Sequence, residues 1–239
     1  SGNTWLRYML AALYQAEQIA VHTPNDIDWQ ALPQGNLIVQ THWHRTPELA
    51  RTLRQYDFKI VVLHRHPLDV LISILQFAPR EPDTACWLSG EGGDERAICG
   101  VPPTSSEFLA YCTGPRAQAL LNVSIEWSRD PDAALLCYED LVQNPNSTVT
   151  ALTSCLGPTR VDIGQVIERN ALDRLRPTAP NGHFWQGTPG HWRKLIPAEF
   201  ARRVADAQRE AFDAFGYECR PDMSLQDSDA ETIWRELCH

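Results

Sequence analysis

Two segments of this chain carry residue types that grip phosphate. Arg65 follows the most apolar short run, Ile60-Val61-Val62-Leu63, and Ser73 comes eight residues later, inside a helix that Pro67 opens. The carboxyl edge of a parallel sheet is where α/β proteins bind ligands. An arginine there is a forked, permanently charged donor and a serine adds a hydroxyl, a pair suited to one phosphate. The opposing reading is that Arg65 merely pairs with Asp69. At the start of the chain, the small-residue turn Ser1-Gly2-Asn3-Thr4-Trp5 runs straight into a helix with Leu6, Met9, Leu10 and Leu13 on one stripe. The first N–H groups of such a helix have no intrahelical partner, and the helix dipole places partial positive charge there, so the turn is a candidate anion site. Ser1 or Thr4 acting only as a helix cap is the alternative.

The elements that must position these groups are read from periodicity and turn residues. The spacing predicts an amphipathic helix over 3–19, a loop over 23–35 with at most one helical turn, and a buried strand over 36–41. Thr46 caps a helix with Pro47 at its first position, a strand covers 58–64, and the Pro67 helix reaches Phe77. Residues 79–103, rich in Gly, Pro and acids, form a substrate-facing insertion. Two helical segments broken at Gly114-Pro115 span 104–129, a strand covers 133–138, and helices cover 147–156 and 162–175. A second long loop runs over 177–192, a helix runs from Pro197 to Phe215, and an acidic tail follows, helical near Ile233-Trp234. Strands alternating with helices imply an α/β fold with a parallel sheet.

Composition narrows the function. A formal net charge of −9 argues against nucleic acid or a membrane surface as the main partner, while leaving room for a local basic pocket. The seven cysteines are scattered with no CxxC pair, which indicates neither a disulfide framework nor a zinc site and fits a reduced cytoplasm. No apolar run approaches the roughly 18 residues that span a bilayer.

Taken together, the two phosphate segments resemble those of the PAPS-dependent sulfotransferases. In that family a P-K-S-G-T-T-W loop holds the 5′-phosphosulfate, and an R-x-P-x-D-x-x-x-S segment holds the 3′-phosphate. Ser1-Gly2-Asn3-Thr4-Trp5 matches the end of the first, and Arg65-His66-Pro67-Leu68-Asp69 with Ser73 matches the second. Gln40-Thr41-His42 is similar to the family's K-T-H, whose histidine is the catalytic base. Tyr138-Glu139-Asp140-Leu141 matches Y-E-D-L, and Gln186-Gly187-Thr188-Pro189-Gly190-His191-Trp192 resembles the late K-G-x-x-G-D-W loop. The resemblance implies a three-layer α/β/α, P-loop NTPase-like domain over 1–217, with 218–239 as an acidic tail and a first strand upstream of Ser1. It implies PAPS as donor, PAP as product, no metal, and an acceptor hydroxyl or amine on a small molecule or glycan. It assigns His42 as general base. Cofactor contacts fall to Ser1, Gly2, Asn3, Thr4, Trp5, Arg65, Ser73 and Tyr138, with Trp5 near the adenine.

The chain departs from the pattern where the family has cations. Gln40 stands for the lysine of K-T-H, Trp185 and Gln186 stand in the R-K-G segment, and His191 replaces the acid of G-D-W. Each lost charged contact is worth about 1.5–3 kcal/mol, so a degraded nucleotide- or partner-binding protein is the rival. Arg193 and Lys194 are the nearby substitutes. Tyr138 also reads as a packing residue, and His42 as one loop histidine among His44, His64 and His66. A P-loop kinase comes third, because the chain has no Gly-Lys dipeptide and so no Walker A sequence.

Overall fold

The computed structural model describes residues 2–178 and 185–238. Ser1, one of the expected phosphate contacts, lies outside the described residues, as does the middle of the second long loop. The chain divides into two compact units, Ser1–His64 with Glu126–Gly187, and Arg65–Ile125 with Thr188–His239.

In the first unit, helix α1 (Asn3–Tyr14) buries the stripe Trp5, Leu6, Met9, Leu10 and Leu13. The stripe meets Leu63, Leu136, Tyr138, Leu141, Val149, Leu152 and Val166 in one apolar core. The expected helix over 3–19 is shorter, because Gln15 turns left-handed at φ 50° and residues 17–21 leave for a sheet. Strand β1 (Glu17–Val21) pairs in parallel with β2 (Leu37–Thr41) from Glu17↔Leu37 to Val21↔Thr41. That ladder, begun by the Glu17 N–H donating to the Asn36 carbonyl, overrides the good helix propensity of Gln15 to Ala20. Helix α2 (Pro47–Gln55) starts as expected, with Thr46 Oγ1 accepting from the Leu49 N–H at 3.1 Å. Strand β3 (Ile60–His64) pairs in parallel with the later β4, Ala133–Cys137, from Ile60↔Ala133 to His64↔Cys137. The parallel α/β architecture is therefore present, with the described strands arranged as two two-stranded sheets.

The second unit begins with α3 (Pro67–Phe77), matching the expected bounds and burying Leu68, Leu71, Ile72 and Leu75. The insertion after it consists of short 3₁₀ turns, Pro82–Gly90 and Arg96–Ile98, before α4 (Ser106–Cys112) and α5 (Pro115–Ser128), whose last three residues belong to the first unit. Arg116 organises the insertion from a site where its side chain is 3% exposed. It grips both oxygens of Glu95 and donates to the carbonyls of Trp87, Glu91 and Thr84 at 2.9–3.0 Å. Tyr111 also donates to Glu95, at 3.0 Å. Burial and the Glu95 carboxylate push the Tyr111 hydroxyl well above its ordinary range, keeping it a donor.

The rest of the chain continues both units. In the first come α6 (Tyr138–Gln143), α7 (Pro145–Leu156), α8 (Ile163–Arg169) and α9 (Leu172–Leu175). In the second, the expected helix over 197–215 divides into α10 (Ala198–Ala207) and α11 (Arg209–Asp213). Gln208 is the break: its buried side chain donates to the Cys112 carbonyl at 2.9 Å, and its backbone leaves helical geometry. The tail forms α12 (Asp227–Cys238), tied to Thr104 through Glu231 at 2.7 Å. Among the described residues no helix is long and apolar enough to cross a membrane, and the seven cysteines are free thiols.

Candidate functional site

The expected site residues fall into both units, and each set is built by its own unit. In the first, Gly2 precedes α1 with φ 90°, a left-handed conformation that side chains resist. Among the described residues no side chain caps the helix here, so the first N–H groups of α1 are presented without a capping oxygen from them. Tyr138 holds the turn from behind. A Cβ on Gly2 would lie 2.5 Å from two Tyr138 ring carbons and 3.3 Å from Leu63 Cδ2. The Tyr138 ring packs edge-on to Trp5 at 6.3 Å, and its hydroxyl donates to the Gly187 carbonyl at 2.8 Å. Trp5 is anchored in turn, its Nε1 donating to the Asn170 carbonyl at 2.7 Å. Gly2, Trp5 and Tyr138 thus come together as a frame for the turn.

This close approach gives a direct test. Gly2→Ala should lower unfolding free energy by about 2–4 kcal/mol, combining left-handed strain with overpacking. Gly35→Ala, also at positive φ but with nothing within 4 Å of its Cβ, should show the strain alone. Denaturant titrations of both variants separate the two terms.

His42 lies half-buried just beyond the end of β2. Beside it, Gln40 Oε1 and Thr41 Oγ1 are buried without a hydrogen-bond partner among the described residues. Buried polar atoms ordinarily find partners, so this strand end is suited to a polar ligand. The residues after His42 are fastened to the end of α5 and the turn that follows. Glu126 accepts from His44 Nδ1 and from the Arg45 N–H, each at 3.0 Å, and Trp127 Nε1 donates to the Trp43 carbonyl at 2.8 Å. Arg45 and Arg54 both reach Asp130, at 2.8–2.9 Å. Burial alone would raise the Asp130 carboxyl; the Asp132 N–H and the two guanidiniums hold it below its ordinary range. At the ends of β3 and β4, burial lowers His64 despite Glu139 and Asp140, so it favours the neutral imidazole.

In the second unit, Arg65 is half-buried ahead of α3, and Ser73 is half-buried in the second turn of that helix. Asp69 connects this segment to the late loop. It is 1% exposed, and its two oxygens accept from the N–H groups of Gly190, at 2.6 Å, and Trp192, at 3.0 Å. His66 supports the same turn. Nδ1 faces the Leu68 N–H and Nε2 faces the Glu218 carbonyl, each at 3.3 Å, a set that only the neutral Nε2–H tautomer satisfies. Its ring stacks on Trp192 at 5.0 Å. Burial lowers His191, with Lys194 and Arg65 acting in the same direction against Asp69. Two positive charges therefore bear on this corner.

Of the expected substitute cations, Arg193 is committed elsewhere. Its guanidinium lies 4.9 Å over the Trp192 ring and donates to the Arg220 carbonyl at 2.9 Å. In the first unit, Arg176 donates to the carbonyls of Trp185, at 2.9 Å, and Gln186, at 2.7 Å. Sequence reasoning read Trp127 as a core or loop anchor, and missed Arg176, Glu126 and Arg116, because each is joined to its partner by folding rather than by a local motif. Among the described residues, no group of three or more His, Cys, Asp or Glu side chains is placed to hold a metal ion.

Parallel strands alternating with helices define an α/β protein of P-loop-like fold. Solved structures make the class narrower: the fold is that of the sulfotransferases. Mouse sulfotransferase SULT7A1 complexed with PAP matches at a TM-score of 0.65 and 16% identity, covering 99% of this chain and 84% of that one. Retinol dehydratase in complex with androsterone and inactive cofactor PAP matches at 0.52 and 17% identity, covering 82% of this chain and 57% of that one. Retinol dehydratase in a complex with retinol and PAP matches at 0.53 and 16% identity, with the same coverage. In sequence, the chain is 23% identical over 202 residues to Sulfotransferase 6B1 of Mus musculus, covering 80% of this chain. The chain spans 59% of the length of that curated relative. No family model matches it.

Proposed function

We propose that this protein transfers a sulfuryl group from PAPS to a hydroxyl or amine on a small molecule. The observation that carries this reading is the uncapped start of α1 at the left-handed Gly2, in a fold shared with sulfotransferases solved with PAP. Bound PAPS supplies the sulfuryl group and a phosphate leaving group. The Gly2, Asn3 and Thr4 amides and the Thr4 hydroxyl hold the 5′-phosphosulfate, where fixed donors stabilise developing negative charge without reorganising. Trp5 lies nearest the adenine. Arg65 and Ser73 bind the 3′-phosphate, with Lys194 adding positive charge. Tyr138 acts through the loop it supports. His42 accepts the proton from the acceptor while alignment of the reacting atoms does the rest.

The retinol and androsterone complexes of similar proteins support a small-molecule acceptor over a glycan. The second reading, a binder without turnover, is favoured by Gln40, Trp185 and Gln186 standing where cations were expected. PAP titrated into the protein by calorimetry should bind at micromolar concentration. Arg65→Ala should weaken it by about 10- to 150-fold, the loss of one charged contact. Absence of PAP binding overturns the proposal, and PAP binding without sulfuryl transfer to any acceptor selects the second reading.

A further inference from the structure

The link from His42 to Thr46 joins a strand to a helix, the sort of connection that is ordinarily mobile. Here its backbone and side chains are fixed in succession. Thr41 is held in register with Val21. The Trp43 carbonyl accepts from Trp127 Nε1 at 2.8 Å. The His44 ring and the Arg45 N–H share the Glu126 carboxylate at 3.0 Å, the Arg45 guanidinium reaches Asp130, and Thr46 caps α2. His42 therefore sits between a sheet ladder on one side and a hydrogen-bonded carbonyl on the other.

We infer that Glu126 and Trp127 are positioning residues that fix the backbone of Trp43–Arg45 and thereby the reach of the His42 imidazole. This rests on the reading of His42 as the general base, since the clamp has a catalytic purpose only if that ring must be aimed. The chemistry requires such aim: a general base acting directly sits within about 2.6–3.2 Å of the heavy atom whose proton it takes, and misplacement by about 1 Å can cost on the order of a hundredfold. Glu126 contributes one carboxylate to two consecutive residues. Trp127 contributes a donor on a ring that is itself 8% exposed and so cannot swing away.

The test uses Trp127→Phe, which keeps an aromatic ring, gives up part of the indole's volume and removes the donor, and Glu126→Gln, which keeps an acceptor and removes the charge. Three readouts are taken on each variant and on the pair: amide hydrogen exchange over residues 42–46, the His42 ring resonances, and steady-state kinetics with PAPS. The paired variant should exchange the Arg45 amide at least about tenfold faster, a local opening. Its His42 signals should broaden or shift while those of His66 stay in place. Measured well below its melting temperature, its kcat should fall about tenfold or more, with KM for PAPS nearly unchanged. Unchanged exchange and unchanged His42 signals overturn the clamp. A loosened segment with full kcat overturns its positioning role. Failure of the underlying functional reading looks different: the parent protein itself binds no PAP, whatever the exchange data show.

Discussion

Replacing Arg116 by methionine should destabilise the protein by about 3–5 kcal/mol, the usual cost of removing one partner from a buried ion pair. Arg116 and Glu95 are 3% and 1% exposed, so the carboxylate left behind would have no water to turn to. Tyr111 would remain as its donor, since its raised hydroxyl stays protonated, but one neutral hydrogen bond does not balance a buried charge. Three carbonyls, those of Thr84, Trp87 and Glu91, would lose their donor together. The same groups hold Leu88 and Ser89 in left-handed backbone at φ 49° and 51°, a conformation that persists only when its surroundings enforce it. The loss should appear in denaturant unfolding, and limited proteolysis should cut first within residues 82–95. Arg116→Lys should rescue little, because a single ammonium cannot reproduce the fork that serves Glu95 and three carbonyls. A methionine variant as stable as the parent would show that the network is incidental to the insertion's structure.

His42→Gln should reduce sulfuryl transfer by about 10²–10⁴-fold, the range for losing a positioned general base, while PAP affinity stays within about twofold. The split matters more than the size. A base that touches only the acceptor's proton contributes to kcat, so binding of the product nucleotide should not register its removal. His44→Gln should behave differently. That side chain holds Glu126 rather than a substrate, so its effect should be smaller and should be accompanied by faster exchange of the Arg45 amide. Equal losses in the two variants, or a parallel fall in PAP affinity for His42→Gln, would assign His42 to binding or to folding.

What could be read from the sequence was what local chemistry decides. Proline and threonine marked the starts of α2 and α3, and the apolar run of β3 and the Gly114-Pro115 break fell where expected. Strand β1 was missed because Gln15 to Val21 carries no strand pattern of its own; a partner 20 residues away in register imposes one. Gln208 escaped for a similar reason, since its acceptor at Cys112 is 96 residues distant. The candidate site divides along the same line. Gly2, His42, Arg65 and Ser73 could be proposed because their spacing along the chain resembles a known pattern. The sequence offered Asp69 as a partner for Arg65, and gave no sign that its two oxygens also accept from N–H groups 121 and 123 residues away. Arg193 looked available because charge is visible in a sequence and commitment to Trp192 is not.

Both units are discontinuous: each is made of two stretches interrupted by part of the other. This bears on the order in which the protein can assemble. The core that seats α1 needs Leu136, Tyr138 and Val166, and the turn at Gly2 is completed through Gly187. At the usual rate of about 5–20 residues per second on a ribosome, α1 waits on the order of ten seconds for its partners. Contacts of such long sequence separation also slow folding in isolation. The turn at Gly2, although it precedes these partners in the chain, should be among the last features to become rigid.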